Sequence, residues 1–540
     1  MITTKKITGL IALFVWFPAS LSAAGNSGHC QPWQNNKGRH PERPVYIGEI
    51  SVLPGNIFNL EDKQEDSKIH FAMNKLHIVT RPEVIERQLL FKSGDVFDQN
   101  KLDESERLLR KNHYIKDAEI IPQRVCKGRV NIIVRTTDNW TLTPGVSFGR
   151  SGGSNKSGAE IQEHNLLGMG KSLALSYKTD SQRDSYKFDY SDNQFLNTRK
   201  ELGIYLESNS DGHTYGFALA SPFYAIDTPD SWYINWQDSA KETSFYQNGA
   251  ATKDYAENRE ILDLGYAWSE SADAQHSSRY SAGWQYDQRD IENISDAADN
   301  SQITASYPWV GYEYLENAYA ELENFNTMGR IEDVNFGRQF RIRAGFLTKA
   351  LGSDSNQIKL STELSESFFA DPQHLATLNL STTSYFGDGE LSGSEVQLSG
   401  RYQHFLDRKN ALNLKATLRA ADNFALNEQY QLGGLEDMRG YSEGFQAGNK
   451  SAVLNLEYRH FFDKSPYQLF KFAAVGFADI GTAWDNHNDP EIVTDVGVGL
   501  RIVPTRSSSS RVIHVDLAFP LDGKDKADGV QLSIGTKTTF

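Results

Sequence analysis

Three things are scarce in this 540-residue sequence: cysteine, positive charge and long apolar stretches. Lysine and arginine number 55 against 70 aspartates and glutamates, a formal charge of −15. That balance excludes a general nucleic-acid binder, which needs a basic surface to neutralise phosphate. Mean hydropathy is −0.53, and past residue 24 no apolar run reaches the ~20 residues a membrane helix requires. Helical spans are thereby excluded beyond the N-terminus. The only cysteines are Cys30 and Cys126, so the chain holds one disulfide or two free thiols. Proline is sparse too, 16 against 42 glycines, while Tyr, Phe and Trp number 24, 29 and 9. This is the balance of a glycine- and aromatic-rich β protein. Transmembrane barrels share its polar average, because only one face of each strand meets lipid.

What is present begins with an export signal. Lys5 and Lys6 precede an apolar run at 7–17 and a small-residue end at Ser22-Ala23-Ala24. Residues 1–24 therefore read as a cleaved signal peptide, with an apolar run too short to span as a helix. Cys30 follows Asn26-Ser27-Gly28-His29, which is no lipoprotein signal. In an oxidising periplasm Cys30 and Cys126 can bridge, and the sequence leaves open whether they do.

Residues 25–44, punctuated by Pro32, Pro41 and Pro44, read as a linker. Residues 45–138 then predict a small α+β module. A first strand at 46–52 is followed by a charged, solvated insertion at 61–68. Thr80-Arg81-Pro82 opens a helix with Ile85 and Leu89 on its buried stripe, and Ser93-Gly94 ends it. Asp98 caps a second helix whose inner face carries Leu102, Ser105 and Leu109. Strands at 115–121 and 130–135 complete a β-α-α-β-β order. With Leu89-Leu90-Phe91-Lys92-Ser93-Gly94-Asp95 followed by Glu104-Ser105-Glu106-Arg107-Leu108-Leu109, this segment resembles a single POTRA domain, the periplasmic polypeptide-transport module.

From Trp140 onward the period is two. Leu412, Leu414, Ala416 and Leu418 alternate with Asn413, Lys415, Thr417 and Arg419, and Leu454, Leu456 and Tyr458 with Asn455, Glu457 and Arg459. A soluble sandwich alternates as well. Charged residues on the polar face of many successive strands, however, suit a hydrated lumen, and a closed barrel is the only sheet that spans lipid. Residues 139–540 are thus expected to form a transmembrane antiparallel barrel. Five strands follow residue 449, and sixteen in all are expected on the even count usual for bacterial barrels.

Two motifs near the C-terminal end carry the function. Leu432-Gly433-Gly434-Leu435-Glu436-Asp437-Met438-Arg439-Gly440-Tyr441 is a glycine-studded loop with one arginine, and Phe477-Ala478-Asp479-Ile480-Gly481 is a strand with one carboxylate. Arg439 and Asp479 are expected to pair inside the lumen, with Gly433, Gly434 and Gly440 letting the loop run close to the wall. If Asp479 faces inward, so do Phe477 and Val475. The first strand, 141–149, holds Pro144, which cannot donate to a ladder, beside Gly145 and Gly149. A weak seam is expected there, where the first and last strands meet.

In this order, signal peptide, POTRA-like module, barrel and Met438-Arg439-Gly440-Tyr441 loop resemble the outer-membrane assembly and translocation superfamily that includes BamA, TamA and two-partner secretion transporters. The resemblance covers roughly residues 45–540. Met438 stands where that family usually has valine. It implies insertion of barrel proteins into the outer membrane, or passage of a polypeptide across it. The implied partners are the lipid bilayer, unfolded polypeptide clients and a periplasmic or lipoprotein partner at the module, with no nucleic acid. A secretion pore for one exported partner and a passive porin are the alternatives. Terminal Phe540 resembles the C-terminal signal of barrel proteins.

No catalysis, cofactor or metal is expected. Gly440-Tyr441-Ser442-Glu443-Gly444 matches the G-x-S-x-G hydrolase pattern, but no helical period follows it. Asp479, Asp485, Asp489 and Asp495 lack calcium-loop spacing and read as solvated loop and wall positions. His487 and His514 have no metal-ligand spacing and are expected to face water.

Overall fold

The computed structural model describes residues 30–33 and 44–537, apart from 152–153, 181, 248–249, 274, 295–299, 329, 372, 388–389, 424–427, 487–489, 509–510 and 523–528. The expected signal peptide, most of the expected linker, His487, Asp489 and Phe540 lie outside the described residues.

The N-terminal module contains β1 (Gln31–Pro32), β2 (Tyr46–Gly55), α1 (Lys68–Leu76), α2 (Pro82–Glu86), α3 (Gln99–Lys111), β3 (Ile115–Cys126) and β4 (Arg129–Asp138). Its sheet runs β1-β3-β4-β2, with β2 parallel to β4 and the other neighbours antiparallel. Ile47, Ile85, Leu89, Leu102, Leu109, Ile132 and Val134 form one core between the helices and the sheet. Asp98 caps α3 by accepting the Asn100 amide at 2.9 Å. Helix α1 was not expected from the charged run before it. It has almost no apolar stripe: its one buried residue is His70, stacked on Phe58 at 4.1 Å. Helix α2 is shorter than expected. Cys30 and Cys126 are joined by a disulfide that fastens β1 to the outer edge of β3.

The barrel strands before the long loop are β5 (Leu142–Ser151), β6 (Ser154–Glu163), β7 (Lys171–Thr179), β8 (Asp184–Phe195), β9 (Lys200–Asn209), β10 (Gly212–Ser221), β11 (Asp230–Gln247), β12 (Ala250–Ala272), β13 (His276–Asn293) and β14 (Ser301–Glu316). A hairpin, β15 (Tyr319–Glu323) and β16 (Ile331–Asn335), precedes β17 (Gln339–Leu347), β18 (Gln357–Asp371), β19 (His374–Gly387), β20 (Glu390–Phe405) and β21 (Asn410–Asp422). The long loop carries β22 (Tyr430–Leu432) and β23 (Gln446–Gly448). It is followed by β24 (Lys450–Phe461), β25 (Phe470–Trp484), β26 (Val493–Pro504), β27 (Val512–Pro520) and β28 (Gln531–Lys537).

Twenty of these strands close an antiparallel barrel, correcting the expected sixteen. Fifteen precede the long loop and five follow it. The excess lies upstream of the long loop, where alternation marks strands but not the reversals that end them. Tight reversals such as Asn209 to Gly212 divide them into separate strands. Trp236, Tyr266, Trp268, Val310, Leu456, Val498 and Leu532 point outward as the apolar band a barrel turns to lipid. Inward positions carry charge pairs such as Arg259–Asp287 at 2.7 Å and Arg279–Glu313 at 3.0 Å.

The module covers one mouth of this cylinder. Arg199 Nη2 donates to the Leu89 carbonyl at 2.6 Å, and Tyr224 Oη to the Gln88 carbonyl at 3.1 Å. The Ile226 amide reaches Glu104 at 2.9 Å, and His70 Nε2 contacts the Tyr467 carbonyl at 2.8 Å. These contacts fall on turns spread around the rim, so the module lies across the opening.

Candidate functional site

The long loop between β21 and β24 folds into the lumen. Leu432, Met438, Tyr441 and Phe445 pack on Val453, Ala483 and Val493 of the wall as one buried cluster. At Gly433 φ is +125°, and a Cβ there would lie 1.8 Å from the Ser442 carbonyl oxygen. At Gly481 a Cβ would lie 2.8 Å from the Met438 sulfur, so the wall glycine leaves the space that the loop methionine fills.

Beside this apolar seat, Arg439 is 4% exposed and Asp479 0%. The guanidinium grips the carboxylate as a fork, Nε to Oδ2 and Nη2 to Oδ1, each at 2.7 Å. Its remaining Nη1 donates to Glu457 Oε1 at 2.5 Å, and its plane lies over the Phe477 ring, 3.5 Å from the centroid. Asn455 Nδ2 donates both to Asp479 Oδ1 at 2.8 Å and to the Asp437 carbonyl at 2.7 Å, tying wall to loop a second time. Gly440 donates its amide to Asp495 Oδ2 at 2.9 Å, and Tyr441 Oη donates to the Thr494 carbonyl at 2.8 Å.

Behind the fork lies a wall of charge that was not singled out from sequence. Arg501 bridges Asp516 at 2.5 Å and Glu457 at 3.1 Å, and Arg459 reaches Glu457 at 2.9 Å. Their signal was parity: Asn455, Glu457 and Arg459 share the polar face of β24, and that face looks inward. Two expectations are corrected here. Asp495 is buried against the loop backbone, and His514 is buried in the lumen wall, because both occupy inward positions on their strands. Phe477 and Val475 do line the lumen, packed with Ala518. Ser442 sits in the loop between β22 and β23 with no helix after it, so no nucleophile elbow forms. Among the described residues no group of His, Cys, Asp and Glu is arranged to hold a metal.

At the closure, β28 and β5 pair at Ile534 and Arg150 among the described residues, whereas β27 and β28 pair continuously from Val512–Lys537 to Ala518–Gln531. Pro144 and Gly145 of β5 face Ile161 and Glu160 of β6, and Gly149 lies against the Ile534 carbonyl. The loop stands behind this seam and touches both sides. Lys537 of β28 donates to the Leu435 carbonyl at 2.8 Å, and Lys156 of β6 meets Glu443 at 3.2 Å.

A family model, the Omp85 superfamily domain, matches residues 165–538. The chain belongs to the Omp85 superfamily. Its barrel is thereby a bacterial outer-membrane barrel of an assembly or translocation protein. Among solved structures it is similar to BamA from Haemophilus ducreyi lacking POTRA domains 1–3, at 14% identity over 95% of this chain and 89% of that one, with a TM-score of 0.40. CdiB from Escherichia coli is similar at 13% identity over 91% and 76%, TM-score 0.46. CdiB from Acinetobacter baumannii is similar at 14% over 93% of each, TM-score 0.42. No curated protein matches the chain in sequence.

Proposed function

We propose that this Omp85 chain handles unfolded polypeptides at the outer membrane, delivering them into the bilayer through the β28–β5 seam, and that it performs no covalent chemistry. The observation that carries this reading is the buried Arg439–Asp479 fork, which fixes a loop in contact with β28 at the seam and with β6, one strand beyond β5. A buried ion pair yields little net stability after desolvation, so its gain is a fixed position. A seam whose ladder is that short among the described residues leaves strand edges that an incoming strand can extend by β-augmentation. The N-terminal module, with edge strand β2 parallel to β4 and helices α2 and α3 packed on the sheet, acts in this reading as a POTRA domain in the periplasm that receives the client or an accessory lipoprotein.

The test is complementation of a deletion strain with Arg439→Ala, together with crosslinking from β5 and from the module in living cells. The variant is expected to insert in the membrane yet lose activity, and the crosslinks to capture barrel precursors. Full complementation by Arg439→Ala would remove the mechanism. The twenty-strand circumference favours a second reading, a pore dedicated to one exported partner. Depletion separates the two: many barrel proteins are lost in the first, one secreted protein in the second.

A further inference from the structure

Between β14 and β17 the chain makes an excursion that the barrel does not need. The ladder from Trp309–Gly345 to Leu315–Gln339 joins β14 directly to β17, and hairpin β15–β16 hangs from its module-side end. Its tip does not point away into solvent. Phe325, Thr327 and Met328 are buried. Met328 packs on Ala411, Phe461, Ala473, Val503 and Val512, inward residues at the module-side ends of β21 and β24 to β27. The hairpin therefore crosses the lumen from the strands that carry it to the opposite wall.

The wall holds the tip by specific bonds. Arg401 of β20 lies over the Phe325 ring at 4.8 Å, and donates to the Phe325 carbonyl at 2.7 Å and to Asn326 Oδ1 at 2.9 Å. Gln403 Nε2 donates to the Asn324 carbonyl at 3.3 Å. The tip is also stiff within itself, since Glu332 accepts from the Thr327 amide at 2.8 Å and from its hydroxyl at 3.0 Å.

From below, helix α3 of the module clamps the same hairpin. Arg110 forks onto Asp333 with two bonds of 2.8 Å and reaches Glu321 at 3.0 Å. Arg107 lies over the Tyr319 ring at 4.9 Å, and Arg330 donates to the Arg110 carbonyl at 3.3 Å. Beside the clamp is a cavity of about 610 Å³, lined among others by Arg107, Phe223, Arg279, Tyr319 and Arg330. The packing thus leaves room for the hairpin to move.

We propose that β15–β16 is a plug that closes the module-side mouth of the lumen, and that α3 acts as its latch through Arg110. A client that displaces the module would break the Arg110 fork and release the plug. That last step rests on the polypeptide-handling reading above; the plug and latch do not.

The test is conductance of the purified full-length chain in planar lipid bilayers, with no client present. Replacing 319–335 by a short glycine turn is expected to raise conductance by about threefold or more, since a twenty-strand barrel without its floor has porin-like width. Arg110→Glu should open a comparable state, and Arg110→Glu with Asp333→Arg should return it to the wild-type level. Heat-modifiable migration on gels checks that each barrel is folded. Should the excised barrel fail that check, replacing Phe325 and Met328 by serine weakens only the tip and should give frequent opening events. Wild-type conductance after excision or tip weakening would overturn the plug. Opening by excision with a silent Arg110→Glu would overturn the latch. Loss of activity in Arg439→Ala bears on neither result, so the two proposals fail separately.

Discussion

Replacing Arg439 by alanine should loosen the lumenal loop without unfolding the barrel, and the structure sets the scale. Asp479 would lose both prongs of the fork and keep the Asn455 amide at 2.8 Å and the residue-439 backbone amide at 3.4 Å. Glu457 would keep Arg459 and Arg501. Breaking a buried pair by deleting one partner costs about 3–5 kcal/mol, mostly through the charge left stranded. With Glu457 still covered, the lower end applies, about 3 kcal/mol. At about 1.4 kcal/mol per tenfold, that is roughly a hundredfold shift from seated toward unseated loop. Met438, Tyr441, Leu432 and Phe445 oppose release, each buried apolar side chain being worth about 1.5–3 kcal/mol. The loop therefore remains mostly seated while opening far more often. Hydrogen exchange at the Gly440 amide, bonded to Asp495, reads this directly, and it should quicken by about two orders of magnitude under the same relation. Arg439→Lys should fall between, since an ammonium keeps the charge but not the fork. The double variant Arg439→Met with Asp479→Leu should recover much of the protection, because no carboxylate is stranded. Exchange at Gly440 within a factor of about three of wild type in Arg439→Ala would refute the reasoning. So would a double variant as loose as the single one.

Three further outcomes are expected. Cys30→Ser removes the staple between β1 and β3, and should lower module stability by about 2–4 kcal/mol, read as earlier proteolysis of the module in the oxidised full-length chain; equal resistance would count against a structural role. Gly481→Leu fills the space of the Met438 sulfur and should unseat the loop while leaving β25 in the ladder, visible as faster exchange at Tyr441 with unchanged exchange in β26. Burial pushes the Glu104 carboxyl above its ordinary range, against the lowering effect of the Ile226 amide it accepts. The docked module thus binds that proton more tightly than the undocked one. Docking through Glu104 is strongest below the ordinary carboxylate range and weakens as pH rises through the raised value. Glu104→Gln keeps the acceptor and should flatten this pH dependence in module-to-barrel crosslinking; an unchanged slope would show that another group sets it.

Much of this arrangement was legible because period two assigns faces. Once Asp479 is inward, Phe477, Val475 and the polar set Asn455, Glu457 and Arg459 must be inward as well. The strand count was not legible, since alternation marks a strand but not the reversal that ends it. Strands as long as β12, with 23 residues, make halves and wholes look alike. Helix α1 escaped because it buries one polar ring instead of an apolar stripe. Asp495 and His514 were misplaced for a different reason. They were read as polar residues on their own terms, when their strand parity already pointed them into the lumen. The disulfide depends on where β1 lands, and two residues of strand carry no pattern that could predict that.

A barrel of twenty strands creates a problem that its own insertions answer. Side chains alone fill a barrel of about eight strands, and wider ones leave water along the axis. Here the long loop occupies the space in front of β24 to β28, and the hairpin tip crosses from β14 and β17 to the same wall. The two meet it at successive levels. The charge network of Glu457, Arg459 and Arg501 lies under the loop, and Phe461, Ala473 and Val503 lie under the hairpin tip. Arg501 and Ala473 are direct register partners, so adjacent rungs of one ladder carry both seats. A cavity of about 660 Å³ stays open on the far side, lined by Tyr233, Trp309, Arg341 and Arg343 among others. Neither insertion is needed to close the cylinder, since β21 pairs with β24 and β14 with β17 without them. Their buried charges and aromatic contacts therefore stabilise a filled lumen rather than the barrel.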